Sequence, residues 1–398
     1  MATMIILLED IIKNFINRYY LTSEQTEQYN IFHYSEICLL NDRGVNIMLK
    51  MPHQHNLELM KTMRPSMKYD GSEPFENWQC RAAKKLNELL GLPFQKCDDM
   101  LTIEYKKERD GFTDIRFYFQ SESGYFVPCN LWIPAGAKKT LPVVICLQGH
   151  STGMHISLGK PKYPGDESSI KDGDRDFAVR VLKEGYCALS IEQRNFGECG
   201  GNEKGPDCYK SSMAAILIGR TTLGERVWDI QRAIDVLEKH FSQVDMKNII
   251  CMGNSGGGTA TFYAGCLEPR IKYIMPSCAI CTYEDSIGAI DHCSCNFIPG
   301  IRKYFDMGDL AGLIAPRYLV IVSGKNDDIF PLDGVQKTFE IVKLHYKYAN
   351  APNNCMLVVG KEGHRFYADD AWPIMNAYVC GYIYSKPPHG FCSRKVTP

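Results

Sequence analysis

Six short apolar runs, Val143–Leu147, Cys187–Ile191, Ile249–Met252, Tyr273–Met275, Tyr318–Val322 and Met356–Val359, recur through the second two-thirds of the chain with helical stretches between them. A strand with one wet face alternates apolar and polar residues, whereas a continuous run fits a parallel strand covered on both faces. Two of the intervening stretches carry clear helical spacing. Leu223 to His240 places Val227, Ile230, Ile234 and Leu237 on one side, and the stretch after Pro331 does the same with Val335, Phe339, Val342 and Tyr346. Between about 101 and 133 the pattern changes to alternating β-branched and aromatic residues, broken by Asp110-Gly111 and Glu122-Ser123-Gly124, which predicts antiparallel hairpins. The fold class is therefore α/β, a mostly parallel central sheet with antiparallel N-terminal strands and helices on both faces.

Ahead of this core, residues 1–95 read as a helical N-terminal extension packed on a catalytic domain of residues 96–398. Leu7, Ile11, Ile12 and Phe15 recur at helical spacing, as do Trp78, Ala82, Leu86 and Leu89 before Gly91-Leu92-Pro93. An independent binding module is the other reading, but the segment offers no site-like cluster of its own. The 45 basic and 46 acidic residues nearly cancel, so nucleic acid and anionic membranes are poor partners and a small, roughly neutral ligand fits better. The N-terminus lacks the basic flank and long apolar stretch of a signal peptide, and no run approaches a bilayer span. Seventeen cysteines, scattered through presumed core strands, suit buried thiols in a reducing compartment, which makes the expected location cytoplasmic.

The chemistry centres on Gly253-Asn254-Ser255-Gly256-Gly257, which follows the apolar strand Asn248 to Met252 and precedes a small-residue helix. A serine at a sharp strand-to-helix turn projects its hydroxyl away from the sheet, and glycines flank it because a Cβ there would clash. The bare pattern would occur by chance in roughly one chain of this length in ten, so its partners matter. After the strand Tyr318–Val322, the loop Ser323-Gly324-Lys325-Asn326-Asp327-Asp328 supplies an acid, read as Asp327 with Asp328 as runner-up. After the last strand, Gly363-His364 supplies a base behind the acid in chain order. The expected division of labour is that His364 deprotonates Ser255 and is oriented by Asp327. The oxyanion donors are read as the backbone N–H groups of Gly256 and of His150, in the loop Gln148-Gly149-His150-Ser151-Thr152-Gly153.

Three other clusters are weaker. Arg194, in Glu192-Gln193-Arg194-Asn195, is read as bracing loops in preference to contacting substrate, and both it and Gln148 are kept as candidate substrate contacts. Asp229 reads as a buried hydrogen-bond partner or cap. His292-Cys293-Ser294-Cys295 has the residue types of a metal site, but a zinc motif needs a second pair at suitable spacing and none stands out. No metal or other cofactor is assigned, and the segment is read as a loop lining the acyl pocket.

With these residues assembled, the chain from about 100 to 385 resembles the acetyl xylan esterase and dienelactone-hydrolase-like branch of the α/β-hydrolase superfamily, which includes bacterial esterase-like and dipeptidyl-aminopeptidase-like proteins. The resemblance rests on Gln148-Gly149-His150-Ser151-Thr152-Gly153, on Gly219-Arg220 through Trp228-Asp229, on Gly253-Asn254-Ser255-Gly256-Gly257, on Gly324-x-x-Asp327 with Pro331, and on Gly363-His364. It implies the α/β-hydrolase fold and hydrolysis of small acyl esters, often acetyl groups on sugars, by Ser255, Asp327 and His364. Two positions depart from the esterase pattern, which commonly has His-Gly-Tyr where this chain has Gln148-Gly149-His150, and Gln where it has Gly256. The leading expectation is a serine carboxylester hydrolase acting on a small-molecule ester. An amidase or aminopeptidase using the same triad, with Glu198 and Glu203 as candidate amine-binding groups, is the alternative, and a non-catalytic hydrolase-fold binding protein is a second one. Assembly as a homo-oligomer is left open.

Overall fold

The computed structural model describes residues 36–40, 46–137 and 139–381. The helical spacing read at Leu7 to Phe15 lies outside the described residues. The chain divides into two compact units, residues 1–59 and 60–398. The first contains an antiparallel hairpin of β1 (Glu36–Leu40) and β2 (Asn46–Lys50), with Glu36 opposite Lys50. Helix α1 (Pro52–Thr62) follows it. The first 95 residues are thus not uniformly helical. Two short apolar runs flank Asn41-Asp42-Arg43-Gly44, a turn-forming sequence that favours a hairpin over a helix.

In the second unit, α2 (Phe75–Leu90) leads to the antiparallel strands β3 (Thr102–Arg109), β4 (Phe112–Glu122) and β5 (Tyr125–Pro134). Their turns fall at Asp110-Gly111 and Ser123-Gly124. Then follow β6 (Leu141–Leu147), α3 (Asp166–Gly173), α4 (Phe177–Lys183), β7 (Cys187–Ile191), α5 (Tyr209–Leu217), α6 (Thr222–His240), β8 (Val244–Asn254) and α7 (Gly256–Leu267). The remainder is β9 (Ile271–Ser277), the short α8 (Met307–Leu310), β10 (Tyr318–Gly324), α9 (Leu332–Tyr348), β11 (Cys355–Gly360) and α10 (Ala368–Val379). The nine strands β3 to β11 form one sheet in the order β11-β10-β9-β8-β6-β7-β5-β4-β3. Pairs among β6 to β11 are parallel, whereas β5 meets β7 antiparallel. All six apolar runs are strands, and the alternating segment forms the hairpins expected of it.

The strands are apolar throughout because each face of the sheet is covered. Val143, Ile145, Ile249, Cys251, Leu319 and Ile321 face one core, shared with Val227, Ile230, Ile234 and Leu237 of α6. The alternate residues Val144, Cys146, Ile250, Met252, Val320 and Val322 face the other, shared with Phe177 and Val181 of α4 and Trp372 and Met375 of α10. Period-two alternation thus distributes one strand between two cores. Helix α2 completes the first layer. Its Trp78 is 1% exposed, donates Nε1–H to the Met67 carbonyl at 2.7 Å, and stacks on His345 of α9 with ring centroids 5.1 Å apart. No helix among the described residues is long and apolar enough to cross a membrane.

Candidate active site

In open α/β sheets, ligands bind beyond the carboxyl ends of the strands, where the strand order reverses. Here β6 lies between β7 and β8, and the candidate residues all follow carboxyl ends of strands on this side. Ser255 sits between β8 and α7 with φ 55° and ψ −125°, a conformation that costs a non-glycine residue free energy and needs local support. The support is visible: Ser255 N–H donates to the Ser277 carbonyl at 2.8 Å, and the Ser255 carbonyl accepts from Thr259 N–H at 2.8 Å. A strained turn held at both ends points the serine hydroxyl out of the sheet.

Asp327 is nearly fully buried on the loop after β10, and its two oxygens have separate tasks. Oδ1 accepts the Ile329 and Phe330 N–H groups at 2.9 and 3.0 Å, while Oδ2 meets His364 Nδ1 at 2.9 Å. Burial alone would raise its pKa, but the His364 hydrogen bond and charge, with the Phe330 N–H, outweigh that and hold the carboxyl below its ordinary range. Asp328 is exposed, and of the two it is Asp327 that contacts His364. The Asp327 contact takes Nδ1 and leaves Nε2 as the other ring nitrogen. Ser255 and His364 border one cavity of about 290 Å³, with no hydrogen bond between their side chains among the described residues. Such bonds are often long before substrate binds and tighten in the complex.

Around this cavity the loop after β6 comes close to the serine. A Cβ on Gly149 would lie 2.7 Å from the Asn254 carbonyl oxygen and 2.9 Å from Ser255 Cβ, so only glycine allows this approach. The neighbouring His150 N–H donates to no described group. Gly256 opens α7, where the first N–H groups lack helical acceptors and the helix dipole favours negative charge.

Gln148 and Arg194 are both held by protein groups. Gln148 Nε2 donates to Ser157 Oγ at 2.5 Å and to the Arg175 carbonyl at 2.8 Å. Arg194 is a brace: its guanidinium grips both Asp229 oxygens at 2.8 Å, reaches Glu122 at 2.7 Å and lies over the Tyr125 ring. Three carboxylates (Glu122, Glu225 and Asp229) within ion-pair reach leave it no role at the cavity. Glu198 pairs with Arg116 at 2.6 Å in a different depression, and Glu203 is exposed; neither borders the cavity, although Asp291 does.

A profile of the family described as the Abhydrolase family matches residues 25–372. The chain belongs to the Abhydrolase family. Within comparable proteins, "Putative hydrolase YtaP" of Bacillus subtilis (strain 168) is 24% identical over 289 residues, covering 71% of this chain and 92% of that protein. Among solved structures, a "putative acetyl xylan esterase" from Bacteroides fragilis NCTC 9343 aligns with a TM-score of 0.67 at 17% identity, covering 82% of this chain and 86% of that one. A glucuronoyl esterase from Solibacter usitatus aligns with a TM-score of 0.60 at 14% identity, covering 80% of this chain and 98% of that one. These likenesses show the α/β-hydrolase fold.

This Abhydrolase family member carries site features that its sequence does not advertise. Arg175 borders the cavity, and its guanidinium has no hydrogen-bond or ion-pair partner among the described residues, with Nε fully enclosed. Burial lowers its pKa from the usual arginine value. Nothing in the sequence around Gly173-Asp174-Arg175 marks it, because its placement depends on how α3 ends. Cys278, beside Asp327, gives its Sγ–H to the Arg365 carbonyl at 3.2 Å. The two departures from the esterase pattern meet in space: the His150 ring packs against Gly256, and its Nε2 lies 3.3 Å from Cys295 Sγ. Cys208, from the N-terminus of α5, and Cys293 complete that cluster. His292 is not part of it; its Nδ1 pairs with Asn296 at 3.0 Å.

Proposed function

We propose that this protein is a serine carboxylester hydrolase that cleaves small acyl esters, carbohydrate esters among them, through an acyl-enzyme. The observation that carries the reading is the strained Ser255 at the β8–α7 turn, sharing a cavity with a histidine whose Nδ1 is held by the buried Asp327. In this reading His364 Nε2 takes the Ser255 proton as Oγ attacks the ester carbonyl, then returns it to the departing alcohol; water repeats the cycle on the acyl-enzyme. The His150 and Gly256 N–H groups receive the oxyanion. Arg175, a cation without a protein partner, favours substrates with an anionic group next to the ester, since burying it unpaired is costly.

The likeness to an acetyl xylan esterase and a glucuronoyl esterase supports the ester reading. The amidase alternative retains Asp291 as an acid at the cavity rim, but Glu198 and Glu203 do not serve it. Short-chain p-nitrophenyl esters and dipeptidyl anilides, assayed with Ser255→Ala as control, separate the two. Ester turnover abolished by Ser255→Ala is expected, and amide turnover far above ester turnover overturns the choice. Absence of a fluorophosphonate adduct on Ser255, by intact mass, would favour a non-catalytic binding protein.

A further inference from the structure

Beyond the hydrolytic machinery, four metal-ligating side chains from three separate segments meet beside the cavity, which two of them, His150 and Cys293, border. His150 comes from the loop after β6, Cys208 from the position just before α5, and Cys293 and Cys295 from the turn around Ser294–Asn296. One ligand atom from each lies within 4.8 Å of every other, and the Cys295 Sγ to His150 Nε2 separation is 3.3 Å. We propose that His150, Cys208, Cys293 and Cys295 form a structural zinc site.

The geometry and the donor set agree on the metal. Tetrahedral zinc with Zn–S near 2.3 Å and Zn–N near 2.0 Å places its sulfurs about 3.8 Å apart and sulfur and nitrogen about 3.5 Å apart, so the existing cluster closes onto an ion with sub-ångström to ångström adjustments. Three thiolates and one imidazole are soft and borderline donors that suit zinc and exclude magnesium or calcium, which take oxygen. The charges also balance. Three thiolates around a dication leave one net negative charge, and the fully buried Arg226 directs Nη1 to Cys295 Sγ at 3.5 Å and Nη2 to Cys208 Sγ at 3.8 Å. Phe196 backs the site, with the His150 ring 5.3 Å and the Arg226 guanidinium 4.5 Å away.

Four protein ligands close the coordination sphere, so the ion acts by position. It would tie the loop that presents the His150 N–H to the loop that carries Cys293 along the cavity wall. It also explains why positions 150 and 256 depart together from the esterase pattern: the histidine is a ligand, and residue 256 must be glycine to leave room for its ring.

The test reads metal and not ester turnover, so it stands apart from the hydrolase reading. The full chain, purified in reducing buffer without chelator, is expected to carry about one zinc per chain. Replacement by Co(II) should give a near-ultraviolet thiolate-to-cobalt charge-transfer band with the intense visible bands of tetrahedral cobalt. Cys208→Ser and Cys293→Ser should each lower zinc at least about tenfold with circular dichroism retained, whereas Ser255→Ala should keep it. The wild-type cobalt spectrum decides even where a variant fails to fold. Wild-type protein that takes up neither ion under reducing conditions overturns the proposal. So does a disulfide among Cys208, Cys293 and Cys295 in protein alkylated at lysis, or full zinc content in both cysteine variants.

Discussion

The His150 imidazole lies so close to Gly256 that a Cβ on residue 256 would meet Cε1 at 2.8 Å and Nδ1 at 2.9 Å. The ring and the candidate oxyanion donor therefore cannot be changed independently. Gly256→Ala is expected to push the ring and the backbone at 149–150 away from Ser255, lowering kcat by about 10²–10³, the usual cost of one oxyanion donor. Steady-state kinetics on a p-nitrophenyl ester check this, and unchanged kcat would remove His150 from the site.

Asp327→Asn should lower kcat by about 10⁴-fold while the protein stays folded, because an amide at this position favours the wrong imidazole tautomer. The amide oxygen can still accept the Ile329 and Phe330 N–H groups, which preserves the loop. Asp328→Asn, on an exposed side chain, should stay within about twofold of wild type. Equal losses at both positions would contradict the assignment.

Arg175→Gln tests the partnerless cation at the cavity. Removing a charge that pairs with substrate costs about 2–3 kcal/mol, or roughly 30- to 150-fold in kcat/KM. The loss should appear on esters carrying a carboxylate and be much smaller on matched neutral esters. A uniform loss across both series would assign Arg175 to the fold.

His345 sets a pH limit on stability rather than on chemistry. It is 3% exposed between Trp78 and Phe75, and burial, with the Lys68 charge, pulls its pKa from 6.5 down to about 4. Because the folded state holds the neutral ring, the unfolded state binds the extra proton between these values. Stability is complete above about pH 6.5 and falls by roughly 3 kcal/mol as pH drops to about 4. Urea unfolding across this range should show the slope in wild type and a flatter dependence in His345→Leu.

Much of this site was legible in the sequence for physical reasons. Val143–Leu147 and its five companions read as strands because both cores demand apolar side chains, and Ser255, Asp327 and His364 follow strands in an order that chance seldom supplies. The partners of Arg194 and Gln148 were not legible, because polarity near a strand end does not fix direction. Asp229 on α6 decides the first, and Ser157 with the Arg175 carbonyl decides the second. The cysteine cluster was hidden for a related reason. Cys293 and Cys295 show a pair, but their counterparts lie on two distant loops that only the folded sheet brings together.

Helix α2 has a practical consequence for anyone trimming this protein. Trp78, Ala82, Leu86 and Leu90 are buried against the layer that also holds α6 and α9, and none of residues 60–95 borders the cavity. A chain begun at residue 96 would keep every catalytic candidate yet expose a contiguous oily seam, and loss of Trp78 alone removes packing of the kind that costs about 3–5 kcal/mol. Such a truncate should be recovered in inclusion bodies or bound to chaperones, so an inactive short form would report on solubility and not on the assignment of Ser255.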